Sequence, residues 1–391
     1  LAGGKHLAKI VHFGDKQVFE NATTYTCLMF LNKAGQESFV VEKVAKIDEW
    51  RAASFAATTE MSIVGEIQSS KLSDKEWNFP VGENSGLFEK LERIPIKLEN
   101  VTDRIFQGIK TSADKIYIVE EIKRLPDKVY IYSHQTNKEY WLEPNLLHPL
   151  IKGGDSKRYR LLRTNRLILF PYQSKVTERT SLIPVPELKI NYPLTWAYLL
   201  ENKEYLENRE DGKMRCAHWY GYIYPKALDV MPLPKLFTPD IAAHSSFSLD
   251  ITGETFFTGG VSGGYGILVN EDFSRDFILG LLNSKLLEWW IHQIATPMRG
   301  GYFSYESRFI RGLPIRTINF DDPADVARHT RMVALVERML GLQRELGAAQ
   351  TPGEKTRVQR QVEAVDAQID GLVYELYGLT EEEIGIVEGK A

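Results

Sequence analysis

The chain has 391 residues, of which 43% are hydrophobic and 26% charged, a composition ordinary for a soluble protein of two or three domains. No apolar run approaches the roughly 20 residues of a membrane-spanning helix, and the start of the sequence lacks the pattern of a signal peptide. We therefore expect a cytoplasmic protein with no membrane partner. The net charge of -4 excludes a basic coat over the whole surface, although a local basic face is compatible with it.

The first segment, residues 1–75, predicts strands at residues 6–13, 25–31 and 38–47, because β-branched, aromatic and apolar residues dominate there. The second run is almost continuously apolar, which is typical of a strand covered on both faces. Such a strand needs a sheet to enter. Because the first residue is leucine rather than methionine, we expect that the natural chain extends upstream.

The central segment, residues 76–320, mixes short strand patterns with helical patterns at residues 86–93, 194–207 and 274–294, which predicts an α+β rather than a regular βαβ arrangement. Residues 259–266 (GGVSGGYG) lack the Gly-Lys-Ser/Thr of a phosphate-binding loop. We expect a β-turn or a close backbone approach there.

The last segment, residues 321–391, predicts two antiparallel helices. Asp322 can cap the first helix, with Pro323 at its first position, and apolar residues follow at alternating spacings of three and four. Gly378 ends the second helix, and Thr380 with Glu383 forms a capping box for a short last helix. The helical pair either braces the protein or supplies a seam for self-association.

The cysteines and the acidic residues predict no metal site, because no set of His, Cys, Asp and Glu has zinc spacing. Cys27 and Cys216 lie far apart among apolar or aromatic residues, which favours buried free thiols.

Three segments contain cations in positions where they could contact a nucleic acid. Cations crowd residues 152–175, although a solvated surface explains that cluster equally well. Residues 296–311 alternate cations with aromatic and small residues, so that an arginine could contact phosphate or a guanine edge, and residues 106–115 place Gln, Lys and Thr on a turn. Taken alone, either loop is more often structural.

An ordered set of motifs adds the missing context: residues 15–27 (DKQVFENATTYTC), 77–79 (WNF), 106–111 (FQGIKT), 301–305 (GYFSY) before 313–315 (LPI), and 372–380 (LVYELYGLT). This set resembles the TaqI-like, gamma-class N6-adenine DNA methyltransferases of type IIG restriction-modification enzymes. The resemblance implies the C-terminal part of such an enzyme: edge strands of the methyltransferase sheet (1–75), a target-recognition domain (76–320) and a helical hairpin with a tail (321–391).

The resemblance also implies partners and cofactors. The partners are double-stranded DNA and the upstream methyltransferase and nuclease domains of the same chain. The family's glycine-rich S-adenosylmethionine motif and its Asn/Asp-Pro-Pro-Tyr/Phe motif are absent, and residues 191–193 (NYP) do not replace the latter. We therefore expect that this chain binds no cofactor and is catalytically silent alone, while S-adenosylmethionine, and Mg²⁺ for cleavage, serve the parent enzyme.

Methylation at adenine N6 requires the adenine to leave the duplex. In the family an aromatic residue of the first hairpin stacks on this adenine, and the matching position here is Phe19. The alternative is that Phe19 is a core residue. The resemblance further predicts a set of DNA contacts. They are Arg299, Tyr302, Ser304, Tyr305 and Arg308 in one loop, Gln107, Lys110 and Thr111 in another, and Arg163, Arg166 and Lys226 as phosphate contacts.

Two competing hypotheses remain open at this point. A scaffolding protein that uses the helical pair as its partner surface would show little salt-dependent affinity for DNA. An autonomous enzyme would require that the isolated chain bind S-adenosylmethionine.

Overall fold

Helices and strands alternate along the whole part of the chain that the computed structural model describes, residues 1–22, 24–52, 61–74, 77–173 and 180–390. This mixture confirms the expected α+β class. Within the described residues, no helix is long and apolar enough to span a membrane. The domain limits 75/76 and 320/321 remain predictions.

The first sheet has four strands in the order β2-β1-β3-β4, with β1 antiparallel to β2 and parallel to β3. One face is closed by an apolar cluster in which Phe39 packs edge-on against Phe79, with ring centroids 4.9 Å apart. The elements are β1 (Leu7–His12), β2 (Cys27–Leu31), β3 (Ser38–Val44), α1 (Ile47–Ala52), β4 (Ser62–Gln68) and α2 (Asn84–Glu92).

Strand β2 corrects one expectation. It forms at the predicted place, but all five of its residues are exposed, so the prediction of a strand covered on both faces is wrong. Among the described residues β2 pairs only with β1, which leaves its other edge open. Cys27 is consequently exposed, as is Cys216, so the prediction of buried thiols is also wrong.

The remaining strands form a six-stranded sheet (β18-β9-β12-β6-β7-β8), a four-stranded sheet (β17-β15-β19-β5), a three-stranded sheet (β16-β21-β20) and the pairs β10-β11 and β13-β14. Their bounds are β5 (Thr102–Gln107), β6 (Ile118–Arg124), β7 (Val129–Ser133), β8 (Lys138–Leu142), β9 (Leu147–Ile151), β10 (Ser156–Lys157), β11 (Arg160–Leu161), β12 (Arg166–Leu169), β13 (Tyr172–Gln173), β14 (Ser181–Leu182), β15 (Lys235–Pro239), β16 (Ile241–Ala242), β17 (Ser248–Asp250), β18 (Phe256–Phe257), β19 (Gly264–Val269), β20 (Pro297–Met298) and β21 (Tyr302–Ser304).

The helices after α2 correct two predictions. The helix expected at 194–207 breaks at Asn202, and the one expected at 274–294 breaks at Ser284, whose hydroxyl accepts a hydrogen bond from the amide of Leu287 and so starts a new helix. The helices are α3 (Asp114–Tyr117), α4 (Val185–Asn191), α5 (Pro193–Glu201), α6 (Lys203–Glu207), α7 (Arg209–Gly212), α8 (Arg275–Asn283), α9 (Lys285–Ile294), α10 (Ser307–Ile310), α11 (Pro323–Ala348), α12 (Pro352–Tyr377) and α13 (Glu381–Val387).

Helices α11 and α12 form the predicted antiparallel pair. Arg357 and Glu345 pair at 2.9 Å near the turn, and Arg328 and Glu375 pair at 2.7 Å at the opposite end. The predicted caps are confirmed, with Gly378 in the left-handed conformation. The apolar seam is buried against α8 and α9 in one cluster, so it is not available for self-association.

A partly buried polar contact joins the central segment to α12. The Arg158 guanidinium donates to Asp366 at 2.9 and 3.0 Å, and the amide of Lys285 donates to Asp370 at 2.9 Å. Burial of Asp370 raises the pKa of its carboxyl from 3.8 to about 6, although Arg158 acts in the opposite direction. The ionised form of Asp370 is therefore less stable in the folded protein than in the unfolded chain.

Asp370→Asn is expected to change the pH dependence of stability. Because the folded pKa of Asp370 is raised, its contribution to stability is present below about pH 4 and is lost as the pH rises to about 6. The variant should therefore gain about 3 kcal/mol relative to wild type between pH 4 and pH 7. Urea unfolding at four pH values measures this gain, with the exposed Asp321→Asn as control; a difference that is constant with pH would contradict the prediction.

Candidate nucleic-acid interface

A cavity of about 530 Å³, called the groove below, brings together Gln107, Lys110 and Lys226 from two distant parts of the chain. Gln107 ends strand β5, and Lys110 forms an isolated β-bridge with Tyr224, which places residues 224–227 opposite the 106–110 turn. Lys110 and Lys226 are exposed. The remaining lining residues are Arg104, Ile105, Phe106, Gly108, Tyr224 and Ala227.

Thr111 does not line the groove. It is completely buried, and its hydroxyl donates to the Asp114 carboxylate at 2.5 Å and accepts from the amide of Ala113 at 3.0 Å. Its carbonyl accepts a hydrogen bond from the buried Arg209 at 3.1 Å. The predicted DNA contact of Thr111 is not supported, because both hydrogen bonds of its hydroxyl stabilise the turn after Lys110.

The glycine loop, residues 259–264, lies beside Gln107 and confirms the expectation of close backbone approach. A Cβ atom on Gly108 would come within 2.4 Å of the Thr258 backbone, and one on Gly259 within 2.8 Å of the Gln107 side chain. Gly260 also has a positive φ of 83°, which favours glycine. The glycines thus allow the loop to pack directly against the turn that carries Gln107.

The β20–β21 turn presents Arg299 and Tyr302. Arg299 is exposed, Gly300 and Gly301 have φ values of 83° and 76°, and Tyr302 is 47% exposed. Phe303 stacks on His292 with ring centroids 3.8 Å apart, which fixes the base of the turn on α9. Arg299 forms no ion pair with any described residue, so its guanidinium can contact a partner.

Two residues predicted in the same loop are core residues. Tyr305 is fully buried, with its hydroxyl 3.4 Å from that of Ser245, and burial raises the pKa of Tyr305 well above its usual value. Ser304 is 1% exposed, and its hydroxyl donates to Glu306 at 3.2 Å. Neither side chain is placed for a DNA contact: the sequence showed residue types suited to DNA, but both side chains are buried at the end of β21.

Arg308 is exposed and paired. Its Nε lies 3.1 Å from Glu306 Oε2, and its guanidinium carbon lies 4.4 Å from the centroid of the Phe309 ring. The guanidinium therefore has a defined position at the surface, next to a carboxylate.

Asp240 lies between the two loops predicted to contact DNA, residues 106–115 and 296–311. It is the single residue between β15 and β16, and its carbonyl accepts a hydrogen bond from the amide of Tyr305 at 2.7 Å. Burial and Glu306 raise the pKa of Asp240, whereas Lys110 lowers it. Gln107 pairs across the sheet with Tyr265, and burial together with the charges of Asp240 and Glu306 raises the pKa of Tyr265. The structure thus brings the Gln107–Lys110 turn and the 304–308 segment together.

Sequence analysis missed Asp240 and Glu306 as members of this site. Both were visible in the sequence, Asp240 after Pro239 and Glu306 among the cations of the 296–311 segment. No signal in a single sequence shows that strands β16 and β21 pair and bring the two acids together.

The basic cluster at residues 152–175 does not form one open basic face. Arg166 binds Asp155, and Arg158 is turned toward α12, while Lys175 lies outside the described residues. Arg163 is exposed. Of the two arginines predicted here as phosphate contacts, only Arg163 is free of a described carboxylate partner.

Phe19 lies in the segment between β1 and β2 and is 57% exposed. The Gln17 amide donates to the carbonyls of Phe19 and Glu20 at 2.8 and 2.7 Å, which holds the turn that carries the ring. The alternative of a core phenylalanine is therefore wrong, and the ring is accessible for stacking.

Residues 148–315 match the model of the TaqI-like C-terminal specificity domain, and this range contains the glycine loop, Asp240 and the β20–β21 turn. The centre of the chain is thus similar to the specificity domain of TaqI-like restriction-modification enzymes.

Curated relatives agree with this family. The chain is 29% identical to the type II restriction enzyme and methyltransferase RM.Eco57I of Escherichia coli, over 97% of this chain and 38% of the relative. It is 24% identical to the type II methyltransferase M.BstVI of Geobacillus stearothermophilus, over 81% and 46%, and 26% identical to M.BanIII of Aneurinibacillus aneurinilyticus, over 53% and 33%. The chain thus spans less than half the length of these relatives.

Proposed function

We propose that this chain recognises a short sequence of double-stranded DNA for an adenine-N6 methyltransferase. The observation that carries the proposal is the groove beside the glycine loop and the 304–308 segment, in which Gln107, Lys110 and Lys226 meet at the edge of a specificity domain. Exposed cations, a glutamine and exposed arginines on short turns are the groups that bind phosphates and base edges.

The roles divide by chemistry. Lys110, Lys226 and Arg163 contact phosphates, since flexible ammonium groups and an isolated guanidinium give affinity without sequence information. Gln107, Arg299 and Arg308 contact base edges, and Tyr302 packs beside them. Thr111, Ser304 and Tyr305 form the frame that fixes these turns.

Phe19 stacks on the adenine that leaves the duplex. An exposed ring on a short hydrogen-bonded turn suits this role, because base–aromatic stacking stabilises an unpaired base by about 1–3 kcal/mol. The rest of the methyltransferase would bring the adenine to Phe19, since the chain itself carries no catalytic motif.

The further partner is the methyltransferase part of the same protein, which would extend the first sheet along the open edge of β2. S-adenosylmethionine would supply the methyl group there. This chain lacks the family's glycine-rich motif and its Asn/Asp-Pro-Pro-Tyr/Phe motif, and Asn191-Tyr192-Pro193, which forms the joint between α4 and α5, does not replace the latter. We propose that the chain alone is catalytically silent and that the protein acts on cytoplasmic DNA.

Replacing Lys110 and Lys226 by alanine is expected to weaken DNA binding equally for all sequences. Each lost phosphate contact lowers the slope of log affinity against log salt by about 0.9, so the slope should fall by about 2. Fluorescence anisotropy with a pool of random duplexes across a salt series measures this change in the full-length natural protein.

The matched control removes two exposed lysines from other surfaces, Lys123→Ala on β6 and Lys355→Ala on α12. This control should leave the slope unchanged. Absence of salt-dependent DNA binding in the unaltered protein would contradict the proposed function.

A further inference from the structure

We infer that Asp240 and Glu306 form a base-recognition subsite that accepts a hydrogen bond from the exocyclic amino group of a cytosine in the major groove, while Arg308 contacts the guanine of the same pair. This inference rests on the proposed function and names which chemical group one part of the interface recognises.

The first step is the position of Asp240. Its amide donates to the carbonyl of Gly263 at 3.1 Å and its carbonyl accepts from Tyr305 at 2.7 Å, so its backbone is fixed between the glycine loop and the 304–308 segment. The residue is only 7% exposed. Among the described residues, however, no donor hydrogen-bonds its carboxylate. Carboxylates at such depth normally have a hydrogen-bond donor, and here a bound partner can supply it.

The second step is the position of Glu306. Its Oε1 accepts from Ser304 at 3.2 Å and its Oε2 lies 3.1 Å from Arg308, while the side chain remains 37% exposed. A carboxylate offers about four acceptor positions, so these two contacts orient it and leave it able to accept more. The exposed ion pair of Glu306 and Arg308 alone would be an ordinary surface feature. It does not explain why the nearby carboxylate of Asp240 has no hydrogen-bond donor among the described residues.

The third step is the identity of the donor. Two carboxylates repel each other unless a donor lies between them, and only cytosine and adenine present an amino group in the major groove. Adenine also presents the N7 acceptor next to its amino group, which would face a carboxylate unfavourably. Cytosine presents a donor alone, and the guanine opposite offers O6 and N7, the acceptors that an arginine such as Arg308 prefers.

The test uses the full-length natural protein and selection from random duplexes, with the variants Glu306→Gln, Glu306→Ala and Asp240→Asn. The unaltered protein should enrich a motif with cytosine at one position. Glu306→Gln should extend the preference at that position to adenine, because an amide adds a donor that matches N7, whereas Glu306→Ala should abolish the preference there. All other positions of the motif should be unchanged, and the exposed Glu271→Gln is the control for loss of charge.

A chemical probe completes the test. Replacing that cytosine by 2-pyrimidinone, which lacks the amino group, should weaken binding of the unaltered protein about 10-fold and that of Glu306→Ala far less. A motif that Glu306→Ala leaves intact, or a loss that is equal at all positions, overturns the inference but not the proposed function. Adenine at the affected position in the unaltered protein overturns the assignment of cytosine. Failure of the unaltered protein to bind DNA overturns both.

Discussion

Arg209→Met is expected to lower the free energy of unfolding by about 3 kcal/mol or more. Arg209 is 5% exposed, and its guanidinium donates to four carbonyl groups at 2.7–3.1 Å. None of its acceptors among the described residues is a carboxylate: all four hydrogen bonds go to backbone carbonyls, and the guanidinium carbon also lies 5.7 Å from the centroid of the Tyr117 ring. Methionine fills a similar volume but leaves all four carbonyls without this donor. The acceptors are the carbonyls of Leu206, Thr111, Trp219 and Gly221.

The same substitution should also weaken DNA binding, because Arg209 connects the two sides of the groove. Thr111 follows Lys110, and Gly221 lies shortly before Tyr224, which forms the β-bridge with Lys110. Urea unfolding and anisotropy measure the two effects. Arg215→Met is the control, since this nearby arginine is exposed and, among the described residues, hydrogen-bonds only to Asn208; its cost should stay within about 0.5 kcal/mol. Equal costs for the two variants would contradict a structural role of Arg209.

Local signals in the sequence predicted the C-terminal helical pair well. Asp322 and Thr380 cap helices through hydrogen bonds to residues two or three positions ahead, and Gly378 adopts the left-handed conformation at the end of α12. These interactions are complete within one helical turn. A single sequence therefore contains all the information that they require.

The candidate site could be predicted only in part, because its chemistry depends on contacts between distant residues. The segments at 106–111 and 299–308 were found by residue type, but their inward and outward positions were not. Tyr305 is buried because β21 pairs with β16, more than 60 residues earlier in the chain, and Arg158 is taken up by Asp366, 208 residues away. Ranking cations by local sequence cannot show which ones have such partners.

The exposed strand β2 illustrates the same limit from the opposite direction. Its apolar sequence predicted cover on both faces, and the prediction is wrong for this chain because no described residue provides that cover. The physical argument from the sequence, that such a strand needs a sheet to enter, still supports an additional partner at this edge.

Arg299→Ala is expected to remove sequence preference at one base pair and to weaken binding of the preferred duplex about 10- to 100-fold. The reason is the position of Arg299, which precedes two glycines on the β20–β21 turn and has no ion-pair partner among the described residues. The stacking of Phe303 on His292 fixes this turn on α9. A guanidinium held in this way can donate two hydrogen bonds to a guanine edge.

Arg299→Lys distinguishes base recognition from phosphate contact. Lysine keeps the charge, and therefore the salt dependence, but loses the paired donors of the guanidinium. If Arg299 contacts a base, selection from random duplexes should show the preference at one position reduced in both variants, with the salt slope preserved in Arg299→Lys. If it contacts a phosphate, lysine should restore nearly all of the affinity and no position should change. The position affected must also differ from the one affected by Glu306→Ala, because the β20–β21 turn and the Asp240–Glu306 pair are separate parts of the interface.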